Sequence, residues 1–218
     1  MGKVIFTPTQ KLVIKQFSKF SPLLRQFYFT GGTALSVFYL NHRYSEDLDF
    51  FTEEKIDDLL LNEFMGNISS ALKTKYRFTK IEEVRIFNFE KNGKLVLKVD
   101  FARYPYPRLK AGKIYQGISI DSLLDIAANK LITISQRVEV KDYIDLYFLL
   151  QKFTIWDLIY AAEKKFRRET DILLLGTDFL EVKKFDYLPR MVVPLKLADL
   201  QEFFIKKAKQ LGRRAVKK

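Results

Sequence analysis

Two aspartates separated by one residue, Asp47 and Asp49, carry the first sign of chemistry in this chain. Side chains on a strand alternate between faces, so these carboxylates point one way while Leu48 and Phe50 point the other. Like charges held that close repel unless a cation neutralises them. The chain has no cysteine and one histidine, His42, which excludes disulfides, thiolate catalysis and Cys-ligated metal and leaves oxygen as the ligand atom. Oxygen-only ligation favours Mg²⁺ or Mn²⁺. Asp100 offers a third acid in the segment Leu95 to Arg103, with Lys98 on its own face and Leu97, Val99 and Phe101 opposite. Three carboxylates on two neighbouring strands suit two-metal phosphoryl transfer, one ion activating the attacking oxygen and the other steadying the leaving pyrophosphate. Upstream, Gly31-Gly32-Thr33 ends a short apolar strand and opens a helix, a turn that exposes unpaired backbone N–H groups to a phosphate. Taken singly, Asp-x-Asp fits an ordinary half-exposed strand and Gly-Gly an ordinary turn. Their succession, followed by a strand aspartate, points to a nucleotide site.

The elements that must position these groups follow from periodicity. A first helix carries Leu12, Phe17 and Phe20 and ends before Ser21-Pro22. Gln26 to Phe29 reads as a strand, Thr33 to Leu40 as a helix with Thr33 near its N-cap, Glu46 to Phe51 as a strand, and Ile56 to Leu72 as an amphipathic helix. Tyr76 to Phe89 and Leu95 to Tyr104 read as two strands joined at Lys91-Asn92-Gly93. Helices are expected over Ser122 to Gln136, Lys141 to Lys152, Ile155 to Arg168 and Asp199 to Gln210, with Phe148, Phe153 and Trp156 as core aromatics. A soft boundary near residue 112 divides an N-terminal α/β part, 1–112, from a helical part, 113–218.

Composition bounds the function. The chain has 218 residues and a formal net charge of +12. Glu46 to Glu63 holds eight acids and one base, so the remainder carries +19. A basic body around an acidic patch attracts a polyanion and keeps a place for a divalent cation, although a solvated acidic helix accounts for charge alone equally well. The C-terminal basic run from Lys206 to Lys218 reads as a phosphate contact or a solubilising tail. The longest uncharged stretch, Gln26 to His42, is too short and too polar for a membrane helix, and Lys3, Lys11, Lys15 and Lys19 interrupt any apolar signal core. A soluble cytoplasmic protein with no membrane partner is expected.

Phe29-Thr-Gly-Gly-Thr-Ala-Leu35, followed by Asn41-His-Arg-Tyr-Ser-Glu-Asp-Leu-Asp-Phe-Phe51, resembles the signature of the AbiEii/AbiGii-type nucleotidyltransferase toxins, a branch of the DNA polymerase β-like superfamily. Asp125-Ile-Ala-Ala-Asn-Lys130, Arg137 and Lys141-Asp-Tyr-Ile-Asp145-Leu-Tyr-Phe148 extend the likeness, so that it covers about residues 25 to 152. The resemblance implies an α+β (α/β) fold: a polymerase β-like core with a small mixed sheet, followed by a C-terminal helical half. It implies that Asp47, Asp49 and Asp100 hold the metal–nucleotide complex, Asp100 also activating the acceptor. Gly31, Gly32 and Thr33 would contact phosphates, the Thr33 hydroxyl replacing a serine, and Lys130 would reach the triphosphate. Arg43 would steady a phosphate, and Asp145 would orient a lysine or contact the nucleotide; the plainer meaning of Asp145 is a surface pair with Lys141. His42 reads as structural. The implied activity moves NMP from an NTP to an acceptor, RNA such as a tRNA end or a protein, in a toxin paired with a cognate antitoxin. Two other readings stay open: an antibiotic-type small-molecule nucleotidyltransferase, and a noncatalytic nucleic-acid-binding protein on the same fold.

Overall fold

The computed structural model describes residues 6–216. Lys3, Lys217 and Lys218 therefore lie outside the described residues. In chain order the elements are α1 (Pro8–Phe17), α2 (Ser21–Gln26), β1 (Tyr28–Thr30), α3 (Gly31–Leu35), β2 (Leu48–Thr52), α4 (Asp58–Leu72), β3 (Lys75–Ile81), β4 (Val84–Lys91) and β5 (Lys94–Arg103). A small hairpin, β6 (Ile114–Tyr115) and β7 (Ile118–Ser119), leads to α5 (Leu123–Gln136), α6 (Val140–Leu149), α7 (Ile155–Phe166), α8 (Ile172–Leu180) and α9 (Leu197–Val216). Among the described residues, no helix is long and apolar enough to cross a membrane.

Local chemistry explains where these elements begin. Thr7 and Gln10 form a capping box around Pro8, whose missing N–H costs nothing in a first turn. The same tolerance operates at Pro22: where a break was expected, Ser21-Pro22 opens α2. Ser122, Thr154 and Asp171 cap α5, α7 and α8 with their side chains. Further differences from the sequence expectation are structural: the N-cap of α3 is Thr30 rather than Thr33, and the β6–β7 hairpin is an added element. Tyr76 to Phe89 is two strands, because the chain reverses at Glu82, which takes a left-handed φ of 47°. Helix α8 was not anticipated, and α9 runs beyond both ends of the expected Asp199 to Gln210.

The sheet has the order β1-β2-β5-β4-β3. Only the β2–β5 pair is parallel; the other three pairs are antiparallel. One face is packed with aromatics: Phe17 of α1 stacks on Phe50 at 4.3 Å between ring centroids, and Phe50 on Phe101 at 5.1 Å. Such contacts add to the area-based stabilisation of the buried rings. The other face turns its β1–β2–β5 part toward α5 and is where the carboxylates lie. Phe148 and Phe153 are half-buried, whereas Trp156, expected in the core, is 39% exposed and lies under the Arg214 guanidinium at 4.6 Å. Trp156 follows the N-cap of α7 by two residues, so it lies on the rim of that helix.

Helix α7 is pinned to α5 by a buried ion pair. Lys165 Nζ donates to Asp125 Oδ1 at 2.9 Å, and neither side chain is exposed. Asp125 also receives the Leu109 and Lys110 N–H groups and the Ser122 hydroxyl. Asp125→Ala therefore strands a buried ammonium and is expected to cost about 3–5 kcal/mol. Lys165→Met leaves a carboxylate that keeps three donors and is expected to cost clearly less in urea unfolding; equal losses would contradict this account.

Candidate active site

The parallel register of β2 and β5 sets Asp49 directly beside Asp100. On paired strands such neighbours share a face roughly 5 Å apart. Asp47 precedes the strand, which begins at Leu48 rather than Glu46, but stays close enough to act on both other carboxylates. Burial, together with the Asp100 and Asp47 charges, pushes the Asp49 carboxyl up to about 7. Burial also raises Asp100, an effect partly offset by its ion pair with Lys98. Asp100 Oδ1 is buried and has no hydrogen-bond partner among the described residues.

The diglycine turn closes over these acids. Gly31 has a left-handed φ of 74°, and a Cβ there would lie 2.0 Å from Asp49 Oδ2. A Cβ on Gly32 would lie 2.6 Å from Arg43 Nη2. Both glycines are therefore required by close approach, to a carboxylate in one case and a guanidinium in the other. Gly31 and Gly32 also begin α3, whose first-turn N–H groups have no partner within the helix. The helix widens into a π-turn over Ser36–Leu40 and ends at Asn41, in a left-handed conformation.

A cleft of about 400 Å³ lies between this face and α5, lined among others by Gly31, Asp49, Asp100, Tyr104, Lys130 and Arg137. Lys130 reaches its wall, yet its Nζ is already shared between Asp142 and Asp145, each at 2.6 Å. Three other predicted groups sit behind the wall. The Thr33 hydroxyl, expected on a phosphate, donates instead to the Asp47 carbonyl at 2.5 Å. Arg43, also expected on a phosphate, is 2% exposed and donates to both oxygens of Asp145, at 2.6 and 2.8 Å. Asp145 is fully buried, so it is neither a surface partner of Lys141 nor a wall of the cleft. Burial alone would raise its carboxyl; Arg43 and Lys130 hold it well below the usual range. His42 completes this cluster at 2.8 Å from Asp145 Oδ1, and burial lowers its pKa, which keeps the imidazole neutral and structural.

Arg137 and Asp142 were legible only as parts of a family signature. Arg137 Nε donates to Asp142 Oδ2 at 2.8 Å and faces the cleft. Ile126, Asn129, Lys130 and Thr133 recur at helical spacing on one side of α5, with Arg137 at its C-terminal cap, a signal that marks the cleft face once the sheet's position is known.

Among the described residues, no three acidic or imidazole groups are gathered tightly enough to hold an ion alone. The donor set nevertheless fits a hard divalent cation: carboxylate oxygens, one of them orphaned, with a repulsion that such a charge relieves.

A family model described as "Nucleotidyl transferase AbiEii toxin, Type IV TA system" matches residues 16–218. An uncharacterized Aquifex aeolicus protein, aq_aa25, is 29% identical over 194 residues, covering 86% of this chain and 89% of its own. The crystal structure of JHP933 from Helicobacter pylori superposes with a TM-score of 0.52 at 20% identity, covering 95% of this chain and 94% of that one. A second solved H. pylori chain gives 0.54, also at 20% identity, covering 97% and 98%. At that identity the two structures bear on fold alone.

A raised carboxyl pKa makes ionisation cost folded stability. For Asp49 the penalty is absent below about pH 4, grows from there to about pH 7 and is complete above it. Asp49→Asn in metal-free buffer is therefore expected to stabilise the protein at pH 8 by on the order of 3 kcal/mol, or roughly 6–12 °C in Tm, and not at pH 4. A Tm change of the same size at both pH values would sink the repulsion argument.

Proposed function

The chain belongs to the AbiEii nucleotidyl transferase toxin family, and from that premise we propose that it transfers NMP from an NTP to the end of an RNA, with Mg²⁺ or Mn²⁺. The fold is the polymerase β-like nucleotidyltransferase fold, and the chain is a nucleotidyltransferase; the nucleotide, metal and acceptor are the proposal. Its main support is the in-register pair of Asp49 and Asp100, with the diglycine turn packed against Asp49, lining one cleft.

In this reading the acceptor hydroxyl attacks the α-phosphorus, the bond to the bridging oxygen of the β-phosphate breaks, and pyrophosphate leaves. Asp100 Oδ1, with no other partner, takes the hydroxyl proton. Asp49 and Asp100 would hold the divalent ion, with Asp47 beside them; when bound it supplies neutralisation of the triphosphate charge. The backbone N–H groups of Gly31, Gly32 and Thr33 take phosphate oxygens, while the Thr33 hydroxyl fixes the Asp47 backbone. Arg103 and Arg137 bring positive charge to the cleft, and Lys130, held by Asp142 and Asp145, reaches its wall. Arg43 and Asp145 act at one remove, holding the loop before β2 and Lys130 in place. Cations on the cleft wall favour a polyanionic acceptor over a cationic drug, against the antibiotic-type reading. The family's two-component character adds a toxin role and an antitoxin as protein partner.

Labelling of total RNA from each α-³²P NTP with Mg²⁺ tests this. Asp49→Ala and Asp100→Ala are each expected to lower transfer at least about 100-fold, a loss typical of removing charge stabilisation at a reacting centre. Undiminished labelling by either variant would end the carboxylate mechanism.

A further inference from the structure

We propose that the open face of β3, β4 and β5 docks the single-stranded end of the acceptor RNA and leads it to Asp100. This rests on the nucleotidyltransferase reading above and adds the acceptor's location.

The strand register traces the surface. Asp100 pairs with Ile86 and Ile86 with Thr79; one pleat along, Lys98 pairs with Asn88 and Asn88 with Arg77. These residues share the face of Asp49 and Asp100, so the strip is continuous with the cleft floor. Arg77 and Asp100 are two strands and one pleat apart, about 12 Å. The strip remains open to solvent: the Arg77 side chain is 73% exposed, Ile81 55% and Val96 40%.

Its charge is one-sided. Beyond the cleft, Lys75, Arg77 and Lys98 face outward on these strands, against the single acid Glu90, and Lys94, paired with Lys91 past a register shift, lies at the tip of the β4–β5 hairpin. Arg77 meets Glu90 only at 3.4 Å in an exposed pair, which holds it weakly. On the opposite face of the same strands Lys80 and Arg85 both bind Asp58, at 2.7 Å. Exposed cations that lead through Lys98, itself paired with Asp100, to a carboxylate pair complement a phosphate backbone whose terminal hydroxyl must arrive at that pair. Ile81 and Ile86 share this face and give sugars and bases a shallow apolar bed on the way to Asp100. The strip outside the cleft carries no aromatic ring on this face, so docking works through phosphates with little base preference.

The test is a Lys75→Ala/Arg77→Ala/Lys94→Ala variant, whose changed side chains are all exposed. Binding of a labelled single-stranded oligoribonucleotide is followed by anisotropy without NTP, across a range of salt, beside Mg²⁺-NTP binding as a control. The affinity is expected to fall about tenfold or more, and the salt slope by about 2, from three lost phosphate contacts at roughly 0.7 each. NTP binding should not change. Unchanged affinity and slope would overturn the proposal. So would failure of the unmutated protein to bind the oligonucleotide, or loss of binding only in a Lys11→Ala/Lys15→Ala/Lys19→Ala variant, which would place the RNA across α1. Loss of RNA binding in the strand variant, from a parent protein that transfers no nucleotide to any RNA, would sustain the docking surface and remove the catalytic reading instead.

Discussion

A carboxylate with no exposure to water joins the two sides of the cleft. Asp145 of α6 receives Arg43 and His42 from the loop before β2 and Lys130 from α5. Withdrawing a carboxylate and two cations from solvent costs several kcal/mol per ion, and only near-complete hydrogen bonding offsets it. That requirement leaves few relative placements of sheet and helices in which the charges remain paired. The backbone follows the same path: Tyr44 N–H donates to the Arg190 carbonyl, and Val192 and Val193 N–H both donate to that of His42. The loop that leads into Asp47 and Asp49 is thus held from α5, from α6 and from the chain preceding α9.

Against this satisfied cluster, the carboxylates of the cleft are left in deficit. Asp145 and Asp49 both suffer burial, yet one falls well below the ordinary carboxylate range and the other is pushed up to about 7. The difference lies in the neighbours: Arg43 and Lys130 surround the first, Asp100 and Asp47 the second. A fold that provides cations to a buried acid at one position and withholds them a short distance away has the layout expected of a site completed by something from outside. Lys98 supplies partial relief to Asp100 and, with Lys130, a smaller one to Asp49.

The sequence discloses local chemistry better than it discloses partners. Alternation in Asp47 to Phe51 and in Leu95 to Arg103 is a property of single strands, so the shared face of Asp49 with Leu48 and Phe50 opposed, and of Asp100 with Lys98, could be read directly. Gly31-Gly32 could be read as a special turn because a left-handed φ leaves few alternatives. Asp145 could not be placed, because two of its three partners, Arg43 and His42, stand 102 and 103 residues away in sequence and the four-residue spacing to Lys141 offers a plausible surface pair instead. The reversal at Glu82-Glu83 was hidden for a related reason: neither residue is the Asn or Gly that tight hairpins favour, and the register of β3 on β4 carries the turn.

Net charge misleads in the same way until it is sorted by commitment. The acid-rich stretch from Glu46 to Glu63 is not one patch: Asp57 caps α4, Asp58 binds Lys80 and Arg85, and only Asp47 and Asp49 bear on the cleft. The basic excess is likewise reduced by cations that never meet solvent as free charges, among them Arg43, Lys130 and Lys165. What a polyanion can feel is the exposed remainder, and its effect depends on where it lies. Cations scattered over a surface raise encounter rates. Cations aligned on strands that run into a carboxylate pair also fix the direction of approach, and direction is what an in-line displacement requires of its acceptor.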